Sequence, residues 1–180
     1  MIPVDSNLII GNSSPIRDLD KFTFNKALSV SVFANRGASG IDGLISTSLG
    51  ISLHKKNKTY LILGDISFFY DMSSLSIAIP SNLTIIILNN NGGHIFDRLD
   101  GLSNEKDYSK YWLTPQDLNI KSIANAFKCN YTQINYKELG NKKSKAFLGA
   151  GVNLIEINID SKKHHLNNKE IEENIKNILT

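Results

Sequence analysis

Residues 83–89, LTIIILN, are apolar on both faces that a strand presents, so this run needs cover above and below. Such a strand belongs in the middle of a parallel sheet. Five further short β-branched runs share the chain with it: NLIIG (7–11), LSVSVFA (28–34), TYLILGD (59–65), YTQIN (131–135) and VNLIEINI (152–159). Segments of helical periodicity separate them: SPIRDLDKF, SGIDGLISTSLGISL, DMSSLSIAI, TPQDLNIKSIANAFK, KELGNKKSKAFLG and NKEIEENIKNIL. Strands alternating with helices predict an α/β fold: a doubly wound, mainly parallel six-stranded sheet with helices on both faces. With no repeat, low-complexity tract or linker, residues 1–180 read as a single domain. A chain of this length buries roughly 70% of the surface its unfolded form exposes, enough for a real core.

Local signals refine some of these elements. TPQD at 114–117 puts Thr114 at an N-cap, Pro115 at the first helical position and Asp117 in the first turn, so a helix is predicted to start there. Residues 97–113 form a long polar connection with aromatics clustered near its end, and such a loop in a compact domain usually covers or does something. Tyr111 and Trp112 read as anchors of that loop against the body. The KKSK run at 142–145 reads as a solvated helix face.

Charge and composition exclude several classes. Twenty Lys and Arg against 17 Asp and Glu leave a net charge of +3, with no long basic run and little aromatic interleaving, which argues against nucleic acid. No stretch approaches the ~20 apolar residues that span a bilayer, so no transmembrane segment is expected. The start, MIPVDSNLIIGNSS, lacks the basic and apolar regions of a signal peptide, and the expectation is a cytoplasmic protein. Cys129, the single cysteine, reads as a small buried hydrophobe at a helix-to-strand junction. His164 and His165 lack a partner at metal-site spacing and are placed ahead of the C-terminal helix; His94 reads as a solvated loop histidine.

In an open parallel sheet, ligands bind at the carboxyl ends of the strands. Four junctions there draw notice: IIGNSSPIRD, FANRGASGIDG, ILGDISFFYD and ILNNNGGHIF. Asp65 ends one strand and Asn90 follows the next, and both could reach one cation, with a backbone carbonyl freed by the glycine turn as third ligand. All-oxygen ligation of this kind suits Mg²⁺. The same residues also read as a helix N-cap aspartate and an asparagine-rich turn.

GD followed by NN, separated by a helix and a strand, resembles the metal signature of thiamine diphosphate enzymes. The resemblance implies Asp65, Asn90 and the Gly92 carbonyl as ligands of the Mg²⁺, with Mn²⁺ as substitute, that grips the cofactor's diphosphate. Ile66 stands where a third glycine is usual, and the 22 residues at 67–88 make a somewhat short span. NRGASGIDGLISTSLG, GDISFFYDMSSL and NLTIIILNNNGGHIF, following GNSSPIRDLD, are similar to the C-terminal, diphosphate-binding domain of the 2-succinyl-5-enolpyruvyl-6-hydroxy-3-cyclohexene-1-carboxylate synthase family (MenD) of menaquinone biosynthesis. That likeness runs from about residue 7 to 115 and continues more weakly beyond. In this family GD is commonly followed by an aliphatic residue and Ser, as in Ile66-Ser67.

The likeness implies an enzyme that decarboxylates 2-oxoglutarate on thiamine diphosphate and adds the four-carbon unit to isochorismate. It implies Arg36 on a substrate carboxylate, Ser13 and Arg17 lining the same site, and Ile41 propping the bent cofactor. Ile95, Phe96 and Leu99 correspond to apolar substrate-pocket positions. Gly37, Ser39 and Gly40 in the first loop, with Gly64, Ile66 and Ser67 in the second, fall at cofactor contacts. The family's activating glutamate comes from an N-terminal domain. The expectation is therefore a C-terminal domain of a longer enzyme, lacking the pyrimidine-binding and central domains, inactive alone and dimeric or tetrameric in the full protein. Another thiamine diphosphate decarboxylase or carboligase for a 2-oxo acid would share the metal site without needing Ser13, Arg17 and Arg36 together. A nucleotide-binding module fits less well, because GASGIDG lacks the opening GxG and GAG at 149–151 precedes a strand.

Overall fold

The computed structural model describes residues 2–23, 29–55, 57–77, 82–99, 101–135 and 151–179. Within them the chain runs β1 (Asn7–Ile10), α1 (Ser14–Phe22), β2 (Ser31–Phe33), α2 (Leu44–His54), β3 (Thr59–Gly64), α3 (Asp65–Asp71), β4 (Leu83–Asn89), α4 (Ile120–Ala126), β5 (Asn130–Ile134), β6 (Asn153–Asn158) and α5 (Ser161–Leu179). The six strands form one sheet in the order β2-β1-β3-β4-β6-β5, and every pairing in it is parallel. The expected "mainly parallel" sheet is thus wholly so.

Strand alternation divides the core between the two faces. Ile9, Leu61, Leu63, Ile85 and Ile87 point to one face, where they meet Leu44, Ile45 and Leu49 of α2, Phe68 of α3 and Ile120 of α4. Leu8, Ile10 and Tyr60 point to the other and meet Ile16 and Leu19 of α1. Ile86, Ile155 and Ile157 form a further cluster with Ile134. The first five residues of β4 are buried, as its two-sided apolar sequence requires.

The chain leaves β1 for β2 on one side and returns to β3 on the other, so strand order reverses between β1 and β3. Right-handed crossovers then put α1 and α2 on opposite faces. The crevice at that reversal, outside the carboxyl ends of β1, β3 and β4, is where a doubly wound sheet binds ligands.

Four sequence expectations need correction. Helix α2 starts at Leu44 rather than 39, behind Gly43, whose φ is 68°. Helix α4 starts at Ile120 rather than 115, because the Asn119 side chain accepts from Ser122 N at 2.9 Å and caps it there. Thr114 and Asp117, the residues meant to begin that helix, have φ of 43° and 47°, incompatible with a helical first turn. Helix α3 begins at Asp65 and passes into a 3₁₀ stretch over Met72–Ile77, so the helical segment expected from 71 starts earlier. Helix α5 begins at Ser161 rather than 168, with Asp160 Oδ1 accepting from Lys163 N at 3.1 Å, so His164 and His165 lie within it. The expected helix over 137–149, with its KKSK run, and residues 149–150 of GAG lie outside the described residues.

Candidate cofactor site

Apolar strands delivering polar residues at their tips build the site. After β1, Gly11 packs so closely that an added Cβ would lie 3.0 Å from the Ile62 carbonyl and the Leu63 side chain. Asn12, 2% exposed, follows it and holds the loop after β2. Its Nδ2 donates to Asn35 O at 2.9 Å and Gly40 O at 2.6 Å, while its Oδ1 accepts from Arg36 Nη1 at 2.7 Å. The glycine-rich loop is therefore pinned at three points to the neighbouring junction. Asn35 adds a bond from Nδ2 to Thr47 Oγ1 of α2 at 3.1 Å.

The start of α2 is fixed from α3. Asp71 is 8% exposed, and its Oδ2 accepts from Ile45 N at 2.6 Å and Ser46 N at 3.0 Å. Ser74 Oγ donates to its Oδ1 at 2.6 Å. A carboxylate here satisfies two orphan amides and meets the positive end of the helix dipole. Those amides are occupied by protein, so what the loop offers a ligand comes from residues ahead of Gly43.

Asp65, the first residue of α3, and the asparagine turn after β4 come together because β3 and β4 pair in register to their ends, Gly64 opposite Leu88. Asp65 Oδ2 accepts from Gly92 N at 2.8 Å. Asn90 joins them: with its amide oriented to satisfy both neighbours, its Nδ2 donates to the Gly92 carbonyl at 2.9 Å and to Asp65 Oδ1 at 3.2 Å, so carboxamide, carbonyl and carboxylate converge. With a cation bound, the carboxamide would present its oxygen in place of those two bonds. Burial pushes the Asp65 carboxyl above its ordinary range, against the lowering effect of the Gly92 and Ile66 amides and of His94. A buried carboxylate in that condition is stabilised by a bound cation. An aspartate, a carboxamide and a carbonyl are the hard oxygen donors that Mg²⁺ takes, so the set fits that ion. Among the described residues no group of three or more His, Cys, Asp or Glu could hold a metal.

Gly92 has to be glycine. Its φ is 139°, and an added Cβ would drive into the Leu113 carbonyl oxygen. The 97–113 connection packs against this turn: Gly93 N donates to Leu113 O at 2.7 Å, and Asn91 and Asp117 exchange bonds of 2.8 and 3.1 Å. This clasp is why 114–117 is not helical. Trp112, 40% exposed, meets Phe96 edge-on at 5.2 Å, and Tyr111 is 65% exposed with Lys110 over its ring; both line the cleft that opens here.

A cleft of about 540 Å³ opens over these elements. Of the residues named from sequence, it is lined by Ser13, Ile41, Gly64, Asp65, Ile66, Ser67, Asn90, Gly92, Ile95 and Phe96. Arg17, Arg36, Gly37, Ser39, Gly40 and Leu99 are not in its wall. Arg17 turns back to donate to Ser13 O at 2.8 Å, Ser39 bonds Gly37 O at 3.4 Å, and Leu99 is 53% exposed.

The reading of His94 as a solvated loop residue is corrected. It lines the cleft, half-buried, with Nδ1 2.7 Å from Asp97 Oδ2, and Tyr108 donates to Asp97 Oδ1 at 2.5 Å. Burial pushes the Asp97 carboxyl up, but the bonds from Tyr108 and His94 outweigh it and hold the group below its ordinary range. Burial and this carboxylate raise the Tyr108 hydroxyl. His164 and His165 also line the cleft. Cys129, expected to be buried, is half-buried: it packs against the core between α4 and β5, and burial raises its thiol.

Asn12 and Asp71 escaped sequence reasoning. Each is a polar residue one or more positions beyond an apolar run, and that is the whole of the local signal.

Among the described residues no helix is long and apolar enough to cross a membrane. The family model described as the thiamine pyrophosphate enzyme C-terminal TPP-binding domain matches residues 22–157. A 2-succinyl-5-enolpyruvyl-6-hydroxy-3-cyclohexene-1-carboxylate synthase of Christiangramia forsetii is 44% identical over 147 residues, 81% of this chain and 25% of the relative. A protein of the same name from Oceanobacillus iheyensis is 35% identical over 91% of this chain and 29% of its own length. The chain thus spans between a quarter and a third of these curated relatives. Among solved structures, the benzoylformate decarboxylase of Polynucleobacter necessarius superposes with a TM-score of 0.69 over 89% of this chain and 31% of its own, at 19% identity, which shows a shared fold.

Proposed function

Because the chain belongs to the family of thiamine pyrophosphate enzymes, as their C-terminal TPP-binding domain, we propose that it supplies the diphosphate-and-metal half of the site of a 2-succinyl-5-enolpyruvyl-6-hydroxy-3-cyclohexene-1-carboxylate synthase. The reaction is decarboxylation of 2-oxoglutarate and addition of the remaining four-carbon unit to isochorismate. The observation that carries the reading is the convergence of Asp65, Asn90 and the Gly92 carbonyl in the cleft of a domain 35% and 44% identical to two such synthases.

In this reading Asp65, Asn90 and the Gly92 carbonyl hold Mg²⁺ against the cofactor's diphosphate, and Ile66 and Ser67 in the first turn of α3 lie beside it. When bound, thiamine diphosphate supplies the nucleophile and the electron sink that decarboxylation needs. The chain's own residues bind and orient. Ile41 props the cofactor, while Ile95 and Phe96 give an apolar wall that keeps water from the reacting carbons. Arg36 donates to Asn12 Oδ1 outside the cleft wall; in this reading it exchanges that bond for a substrate carboxylate, since a carboxylate cannot be buried unpaired. Ser13 and Arg17 serve the same end of the site. The activating glutamate and the rest of the cofactor cradle come from an N-terminal domain in a cytoplasmic dimer or tetramer.

The test is an assay with 2-oxoglutarate, isochorismate, Mg²⁺ and thiamine diphosphate. The chain supplied with the N-terminal domains of such a synthase should consume both substrates, and the chain alone neither. Turnover by the chain alone, or consumption of 2-oxo acid without isochorismate, contradicts the proposal. Arg36→Ala should depress turnover by about tenfold or more while leaving metal binding unchanged; unaltered kinetics would point instead to a different 2-oxo acid carboligase.

A further inference from the structure

Behind the asparagine turn lies a buried carboxylate with no part in the cleft. Glu156 sits on β6, between β4 and β5, and is 6% exposed. It is opposite Ile87 of β4 and Gln133 of β5, so Asn89 and Tyr131 are its diagonal neighbours on one sheet face. Its Oε1 accepts from Asn89 Nδ2 at 2.7 Å, and its Oε2 accepts from Tyr131 Oη at 2.5 Å. Burial and this carboxylate hold the Tyr131 hydroxyl above its ordinary range, so it stays a donor.

A carboxylate only accepts, and that dictates the orientation of the Asn89 amide. Its NH₂ must face Glu156, which leaves its Oδ1 toward the turn, where it accepts from Asn91 N at 3.0 Å. That bond fixes the backbone at Asn91, whose φ of 57° is left-handed and whose side chain clasps Asp117. Asn90 and Gly92 flank it on either side. A reversed Asn89 amide would set its NH₂ against Asn91 N, donor to donor, and release the turn.

We infer that Glu156 is a positioning residue for the cation site, holding Asn89 in the one orientation that fixes the turn presenting Asn90 and the Gly92 carbonyl. The inference rests on reading Asp65, Asn90 and Gly92 as that site. Its consequence is distinctive in sign: a negative charge added at position 89 would by Coulomb attraction tighten a nearby cation, yet it breaks the orienting bond and should loosen it.

The test is Mn²⁺ titration of the 180-residue chain, read by the electron paramagnetic resonance of free Mn²⁺, with melting curves confirming that each variant is folded. Asn89→Asp, which sets two carboxylates against each other, should weaken Mn²⁺ by about tenfold or more, in the range of lost outer-shell partners. The double variant Asn89→Asp with Glu156→Gln exchanges donor and acceptor and should restore affinity to within about threefold of wild type. An affinity unchanged or raised in Asn89→Asp, or no recovery in the double variant, overturns the inference while the cation site stands. No Mn²⁺ binding by the wild-type chain removes the site itself and the inference with it. Where Asn89→Asp does not fold, Asn89→Ala decides: about tenfold loss supports the inference, and unchanged affinity overturns it.

Discussion

Removing the Asp71 carboxylate should be among the costliest polar substitutions in this domain. It binds two main-chain amides at the start of α2 and the Ser74 hydroxyl. Hydrogen bonds to a charged group contribute about 1.5–3 kcal/mol each. In Asp71→Ala, water can reach the exposed Ser46, whereas Ile45 is fully buried and its amide is left unpaired. Loss of the dipole interaction adds up to about 2 kcal/mol in a buried setting. Allowing for solvent at Ser46, the net loss should be about 3–4 kcal/mol. For a chain of this length that lowers Tm by about 10 °C. Asp71→Asn keeps an acceptor but no charge and should lose about half as much. Urea unfolding followed by circular dichroism, with both variants alongside wild type, measures this. A loss under about 1 kcal/mol in Asp71→Ala, or equal losses in Ala and Asn, would refute the assignment of Asp71 as a charged cap.

Two other outcomes follow from the same geometry. Gly92→Ala meets both a φ of 139° and the Leu113 carbonyl, so it should cost about 2 kcal/mol or more and abolish tight Mn²⁺ binding; Gly101→Ala, at φ 80° in open space, should cost only about 1 kcal/mol and leave Mn²⁺ binding alone. Thermal melts with Mn²⁺ titration separate the two. Asp97 titrates below its ordinary range in the folded chain, so its contribution is present above the unfolded carboxyl pKa, ~4, and is lost as pH falls through the lower folded value. Tyr108→Phe should therefore cost about 1 kcal/mol in urea unfolding at neutral pH and progressively less in acid, whereas a deficit independent of pH would contradict this account.

The sheet was legible because its signal is local. The two-sided apolar run at 83–89 is β4 to the residue, and the helical period of SPIRDLDKF is α1. The helix start at 114–117 failed partly to a competitor distant in sequence. Thr114, Pro115 and Asp117 satisfy every local rule for a helix start, yet the clasp between Asn91 and Asp117 and the Asn119 cap move that start to Ile120. The cleft was half legible for the same reason. Residues at strand tips, such as Asp65 and Asn90, could be placed by the rule for parallel sheets. Asn12, Asp71 and Glu156 do their work through partners 23 to 67 positions away, and no spacing announces them. Arg17 and Arg36 have the expected charge, but they bond Ser13 and Asn12 and lie outside the cleft wall.

The central claim, that Asp65, Asn90 and the Gly92 carbonyl hold the cation through which this domain grips a diphosphate, is tested most directly by isothermal titration of thiamine diphosphate into the chain with and without Mg²⁺. Binding should require the metal, and Asp65→Asn should weaken it by about tenfold or more, as loss of a charged ligand demands. Binding that is independent of Mg²⁺, or equally tight in Asp65→Asn, would contradict it.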